Sequence, residues 1–219
     1  MKKIILFVFI FFCVSKVYCQ SNFDTGFLPK VVLSNKVSGK INWVHSAESR
    51  AIIYDDKSQF SHNLVDISSI LSLKTNLNQS FNFGYIIRFR NAETIHRTFQ
   101  HYNFVSQFSS IKVGHRFAFE QFYQTKKQTT FRTRYRVSAE KPLNGERLDV
   151  KEFYIKLGNE YLYDFKTNDL EIRVTPNLGF KASKKDKIEF GLDYRLGRFL
   201  NNTTKNNLWF RTTWYISMD

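Results

Sequence analysis

Arg132, Arg134 and Arg136 recur at every second position within the run Thr129 to Glu140, TTFRTRYRVSAE, separated by Thr133 and Tyr135. Side chains so spaced share one face of an extended strand. Their chemistry is either that of a basic patch meeting a polyanion or that of charges neutralised by carboxylates of the same protein. Comparable alternation elsewhere places Arg88, Arg90, Arg116, Arg173, Arg195 and Arg211 on the charged face of their segments, together with Glu120, Glu140, Glu152, Glu171, Glu189 and Asp193. If these faces enclose a common lumen, a buried arginine there needs a carboxylate or water. A small barrel is narrow and largely filled by its own side chains, which favours a structural plug of salt bridges. The sharper alternative is a selectivity lining for a small anion, because rings of arginine favour anions.

Five histidines, His45, His62, His96, His101 and His115, could supply a general base, with Ser106 or Ser138 as partners. No pair has motif spacing, and there is no Gly-rich phosphate loop, HExxH or cluster of metal ligands. The expectation is therefore a protein without catalytic residues, cofactor or metal. A lipid-modifying barrel enzyme is the enzymatic alternative.

The elements that must carry these charges alternate with period two. The expected strands cover about 36–45, 65–74, 81–90, 101–108, 111–123, 129–140, 152–161, 170–180, 188–196 and 208–214. Residues 20–35 lack a sustained period and read as a lead-in. Residues 46–62 are polar and read as a long connection, and residues 91–97 as a short polar loop. Pro176 falls inside an expected strand and requires a bulge or a strand end, since proline cannot donate to a ladder.

Many of these segments approach the ~9–11 residues that cross a bilayer as a tilted strand, beyond the ~5–6 usual in globular sheets. The expected fold is all-β, a single antiparallel up-and-down transmembrane β-barrel of about ten strands, within a range of 8 to 12. The barrel domain would span 36–219. Its apolar faces would meet lipid and its charged faces the lumen. An even strand number would put both chain ends on the periplasmic side, with short turns there and longer loops outside. The Pro142 to Val150 connection is long on the predicted turn side. A soluble lipocalin-like barrel binding an apolar ligand is the alternative, because alternation alone does not say which face is inside.

Met1 to Lys3 is a short basic head and Ile4 to Val14 an apolar run of signal-peptide length, so residues 1–19 read as a leader cleaved before Gln20. Cys13 and Cys19 leave with it, which removes any disulfide framework or thiol metal site. Loss of Lys2, Lys3 and Lys16 lowers the formal charge by three, from +14 to +11. Export removes nucleic acid as a partner for this charge and makes anionic lipid the better match. The expected location is the cell outer membrane, as a monomer among outer-membrane lipid and lipopolysaccharide, inserted by the assembly machinery. Aromatics at 17% of residues and only three prolines favour long strands.

The runs GHRFAFEQFY (114–123), FRTRYRVSAEKPLNG (131–145) and GNEYLY (158–163), with the glycine-aromatic segments LGFKAS and FGLDYRLG, resemble the DUF2490 family of bacterial outer-membrane proteins common in Bacteroidetes. The resemblance covers most of the chain beyond the leader. It implies an outer-membrane β-barrel of undefined activity and supplies no catalytic residue. The ending Trp214 to Asp219, WYISMD, departs from the aromatic last residue of many such barrels.

Overall fold

The computed structural model describes residues 22–55, 57–91, 93–201 and 204–218. The expected leader, with Cys13 and Cys19, lies outside them. Eleven strands form one closed sheet: β1 (Asn22–Lys36), β2 (Ile41–Asp55), β3 (Lys57–Asn76), β4 (Gln79–Arg90), β5 (Glu93–Phe108), β6 (Ile111–Gln124), β7 (Thr130–Pro142), β8 (Glu152–Asp164), β9 (Asp169–Lys181), β10 (Asp186–Gly197) and β11 (Lys205–Ser217). Each strand pairs with its sequence neighbours in antiparallel fashion, and β1 closes the barrel by pairing with β11 in parallel. The all-β up-and-down barrel expected from the alternation is therefore present, with a strand number inside the expected range.

The eleventh strand comes from the stretch expected to be a lead-in. Residues 22–36 form β1, whose ladder to β11 runs from Asn22↔Lys205 to Ser34↔Ser217. An odd number of alternating strands cannot close antiparallel, so the seam is parallel and the first strand starts at the opposite end of the barrel from where β11 finishes. This corrects the expectation that both chain ends lie on one side. The end at which Asn22 lies also carries the tip of the β2–β3 hairpin and is termed the hairpin end. The other, at Ser217, is the C-terminal end.

A second correction concerns residues 46–62, expected as a loop. They belong to β2 and β3, and Lys57–Leu64 ladder only with β2, since pairing of β3 with β4 begins at Val65↔Phe89. The hairpin therefore overhangs the barrel rim. Residues 93–97, likewise expected as loop, open β5. The longest connection, 143–151, lies at the C-terminal end. It contains Gly145 at φ 66°, in the left-handed region open to glycine. Pro176 sits where β9 lacks pairs with β10, between Val174↔Tyr194 and Asn177↔Gly191, so its missing N–H interrupts no ladder bond.

The two faces of the sheet carry opposite chemistry. Outward positions expose Phe27, Val31, Trp43, Ile67, Leu71, Phe83, Phe89, Phe117, Phe131, Ile155, Leu157, Leu178, Phe190 and Phe210. Inward positions bury Asp66, Arg97, Glu120, Glu160, Glu189, Asp193 and Arg195. A water-soluble barrel would reverse this distribution, because exposed apolar area of that extent is costly in water and buried charge is costly without pairing. Strands of 12 to 20 residues exceed the ~9–11 needed to cross a bilayer. Toward the ends of the belt, outward aromatic side chains find polar partners. Trp214 Nε1 donates to Asp186 Oδ1 at 3.3 Å, and the Tyr163 hydroxyl to Asn168 Oδ1 at 3.5 Å. Such placement suits rings at the headgroup level.

The outer face is not wholly apolar. On β5 and β6, Gln121 Nε2 donates to Gln100 Oε1 at 3.0 Å and Thr98 Oγ1 to Gln121 Oε1 at 2.6 Å. These groups satisfy one another and so reduce the cost of facing lipid.

Inside, small residues make room for large ones. A Cβ on Gly84 would run into the Phe99 ring, and one on Gly179 into that of Tyr154. Toward the hairpin end, Leu28, Leu64, Ile95, Leu162 and Trp209 are all buried.

Candidate functional site: the charged lumen

Glu120 of β6 is the centre of the lumen charges. It is 2% exposed and meets three guanidinium groups: Arg132 Nη2 at 2.6 Å, Arg134 Nη2 at 3.0 Å and Arg97 Nη1 at 3.7 Å. The register explains the first contact, since Glu120 and Arg132 are direct cross-strand partners. Phe122, two residues along β6, lies under Arg97 and Arg132 with ring centroids 5.4 and 4.8 Å away, holding both cations by their faces.

Arg134 then bridges to Glu160 of β8 at 3.3 Å, Glu160 meets Arg173 of β9 at 3.4 Å, and Arg173 pairs with Glu171 on its own strand. Beside this chain stand closed forks. Arg88 holds Asp66 through two 2.7 Å bonds, and Arg195 holds Asp193 at 2.9 and 2.8 Å. Arg50 meets Glu48 at 2.8 Å, and Lys30 reaches the same carboxylate at 3.5 Å. Nearer the C-terminal end, Glu189 collects Lys156 at 2.8 Å, the Tyr154 hydroxyl at 2.9 Å and the Tyr215 hydroxyl at 3.2 Å.

Of the residues singled out in the sequence, Glu120, Arg132, Arg134, Arg88, Glu171, Arg173, Asp193, Arg195 and Glu189 thus take part in ion pairs. Arg116, Arg136, Arg211 and Glu140 face the lumen without one among the described residues. Arg116 Nε donates to Asn103 Oδ1 at 2.9 Å, and Arg211 Nε to Thr213 Oγ1 at 3.2 Å. Glu152 and Arg90 do not join the network. Glu152 accepts from Asn144 Nδ2 at 3.2 Å and from the Asp149 amide at 2.9 Å, so it anchors the 143–151 connection. Arg90 is exposed at the rim end of β4.

Several members escape the sequence reading. Lys30, Glu48, Arg50 and Arg97 lie in stretches that read as lead-in or loop, and without a strand there is no face to assign them to. Asp66, Lys156 and Glu160 stand on the charged side of expected strands, so the period itself is the signal for them. Of the histidines, His101 is buried in the lumen, stacked on Phe99 at 4.3 Å. His96 bonds the Tyr85 hydroxyl on the outer face, His115 stacks on Phe104, His45 lies against Trp43 and His62 meets Ser49 on the hairpin.

Two connected spaces remain in the lumen. The inner one, about 310 Å³, is walled by eleven lysine and arginine side chains against six carboxylates. The outer one, about 490 Å³, opens toward the C-terminal end and is walled by Lys30, Lys112, Arg116, Arg136, Lys156 and Arg211 with Glu140 as its sole carboxylate. Lys30, Arg116, Arg136 and Arg211 line both. Since β1 and β11 are neighbours and β6 and β7 lie across the barrel from them, these four cations converge from opposite walls. The inner space has little apolar wall, and in the outer one Val32, Val44, Ile70 and Val105 are interspersed among the charged and polar groups rather than forming the continuous apolar cavity of a lipocalin-like site.

An apolar, aromatic exterior around a charge-paired interior defines a transmembrane β-barrel. The chain belongs to the family described as "Protein of unknown function (DUF2490)", whose model matches residues 25–208. No curated protein matches the sequence. Among solved structures, the anion-selective porin from Comamonas acidovorans superposes with a TM-score of 0.45 at 10% identity, over 82% of this chain and 53% of the porin. The chain thus spans about half the length of that protein.

Proposed function

We propose that the protein is an outer-membrane barrel that takes small anions into the lumen from its C-terminal end and holds them there. The observation that carries this reading is the convergence of Arg116, Arg136 and Arg211, unpaired with carboxylates among the described residues, on a space of about 490 Å³. Paired arginines act as structure. Unpaired ones in a low-dielectric enclosure form a standing attraction for negative charge. The burial of Leu28, Leu162 and Trp209 in the hairpin half supports reading the lumen as a cup. The reading includes export by residues 1–19, a monomer surrounded by outer-membrane lipid and lipopolysaccharide, insertion by the assembly machinery, and no catalytic step or cofactor.

Titration of the protein folded in lipid vesicles with inorganic phosphate, followed by calorimetry, tests the proposal. Saturable binding that weakens with added salt and is lost in Arg116→Ala supports it, and no heat of binding at low salt would sink it. A narrow anion channel is the second reading, favoured by the four cations shared between the two spaces. Conductance steps with an anion-side reversal potential in planar bilayers would select it over the cup.

A further inference from the structure

The wall of the outer chamber is divided by strand. Cations enter from β1 and β11 (Lys30, Arg211) and from β6 and β7 (Arg116, Arg136), whereas the arc between them, β2 to β5, carries no charge and presents hydroxyls and amides interspersed with Val44, Ile70 and Val105. Ser46, Ser72, Ser80, Asn82 and Asn103 line it, on four successive strands. A bare inorganic anion would engage the cations and leave this arc unused. The volume, about 490 Å³, lies in the range of organic ligand sites, ~300–1,000 Å³, and is far larger than one ion requires.

The arc is also incompletely satisfied. Asn103 Nδ2 donates to Ser80 Oγ at 3.2 Å while its Oδ1 accepts from Arg116 Nε, so this pair ties the polar arc to the cationic wall. Asn82 Oδ1, also on β4, is buried and has no donor. A buried amide oxygen without a partner is costly, and a ligand hydroxyl would relieve it.

We propose that the chamber recognises a small polyhydroxylated anion, a phosphorylated or carboxylated sugar, with the anionic group on Arg116, Arg136 and Arg211 and the hydroxyls on Asn82, Ser72 and Ser80. This rests on the anion-binding reading above and adds the second half of the ligand. Free sugar lacks the charge that the cations select, and bare phosphate is too small to set a hydroxyl on the β2–β5 arc while its charge sits on the cations.

The test is calorimetric titration of the vesicle-folded protein with four probes: inorganic phosphate, glucose, glucose 6-phosphate and glucuronate. The expected result is that glucose 6-phosphate or glucuronate binds at least about tenfold more tightly than phosphate, the worth of one or two added hydrogen bonds, with glucose alone unbound. The Asn82→Leu variant is expected to erase that advantage while phosphate binding stays. Ser80→Ala, a smaller change, is expected to reduce it in the same direction should Asn82→Leu fail to fold. If both sugar anions bind no better than phosphate, the chamber takes anions but not sugars and this inference fails alone. If glucose binds as tightly as glucose 6-phosphate, the cations are not used and it fails too. If nothing binds, the anion reading falls with it.

Discussion

Arg132 and Glu120 are direct partners in the β6–β7 ladder, and their side chains meet at 2.6 Å inside the barrel. The contact is one of three that Glu120 makes, so the two residues are not equivalent. Arg132→Leu leaves Glu120 with Arg97 and Arg134, at an expected cost of about 1.5–3 kcal/mol for a lost charged hydrogen bond. Glu120→Leu leaves Arg97 and Arg132 without a carboxylate, while Arg134 keeps Glu160, at about 3–5 kcal/mol. Urea unfolding in lipid vesicles reads both, and an equal or reversed order would show that Glu120 is not the centre of the network.

Arg136 belongs to the same alternating run but makes no ion pair among the described residues. Its replacement by leucine is expected to change stability by about 1 kcal/mol or less, since no carboxylate is orphaned. Phosphate binding should fall at the same time. A large loss of stability in Arg136→Leu would return this residue to the structural set.

Tyr154 fills the space above Gly179, with its hydroxyl 2.9 Å from Glu189 Oε1. Gly179→Ala drives a methyl into the ring and is expected to cost about 1–3 kcal/mol. Combining it with Tyr154→Ala should cost less than the sum of the two single changes, because each removes the other's clash or cavity. Additivity in that double-mutant cycle would place the strain elsewhere.

Phe117 points outward from β6 and is 50% exposed. In a membrane-embedded barrel, Phe117→Arg puts a charge against lipid, at about 2–4 kcal/mol near the midplane. Gln121→Leu on the same face leaves the Gln100 amide without its partner and is expected to cost about 1–3 kcal/mol, a loss that the double change Gln100→Leu with Gln121→Leu should relieve. Folding yields in lipid vesicles measure both, and a harmless Phe117→Arg would count against the lipid-facing assignment.

Removal of residues 22–36 distinguishes a strand from a lead-in. Without β1, the edges of β2 and β11 are left open in the bilayer, where unpaired backbone groups are each costly. No heat-modifiable folded species is expected on gels after such a deletion. A normal shift on heating would mean that β2 and β11 can close directly.

The period of two is enough to read the barrel, its strands from β3 onward, the arginine-rich lumen and the apolar exterior from sequence. That signal is local: each side chain's face is set by its neighbours at i ± 2. It fails where the alternation weakens. Residues 22–36 carry Thr25, Gly26 and Pro29 in an otherwise mixed pattern, and residues 46–62 lie in an overhanging hairpin with register shifts between Arg50 and Ala51 and between Ile52 and Tyr54. Each shift reverses the apparent face of the residues beyond it. The eleventh strand, the parallel seam and the opposite placement of the chain ends are therefore decided only by closure of the sheet.

The division of the arginines is likewise tertiary. Arg132, Arg134 and Arg136 are alike in sequence, yet the first two meet Glu120 and Glu160 while the third faces open space. Register alone does not decide which cation finds a carboxylate: Arg136 is the ladder partner of Glu160, yet Glu160 is taken by Arg134 and Arg173. Alternation along one strand fixes the face of a charge, and only the closed barrel fixes its partner.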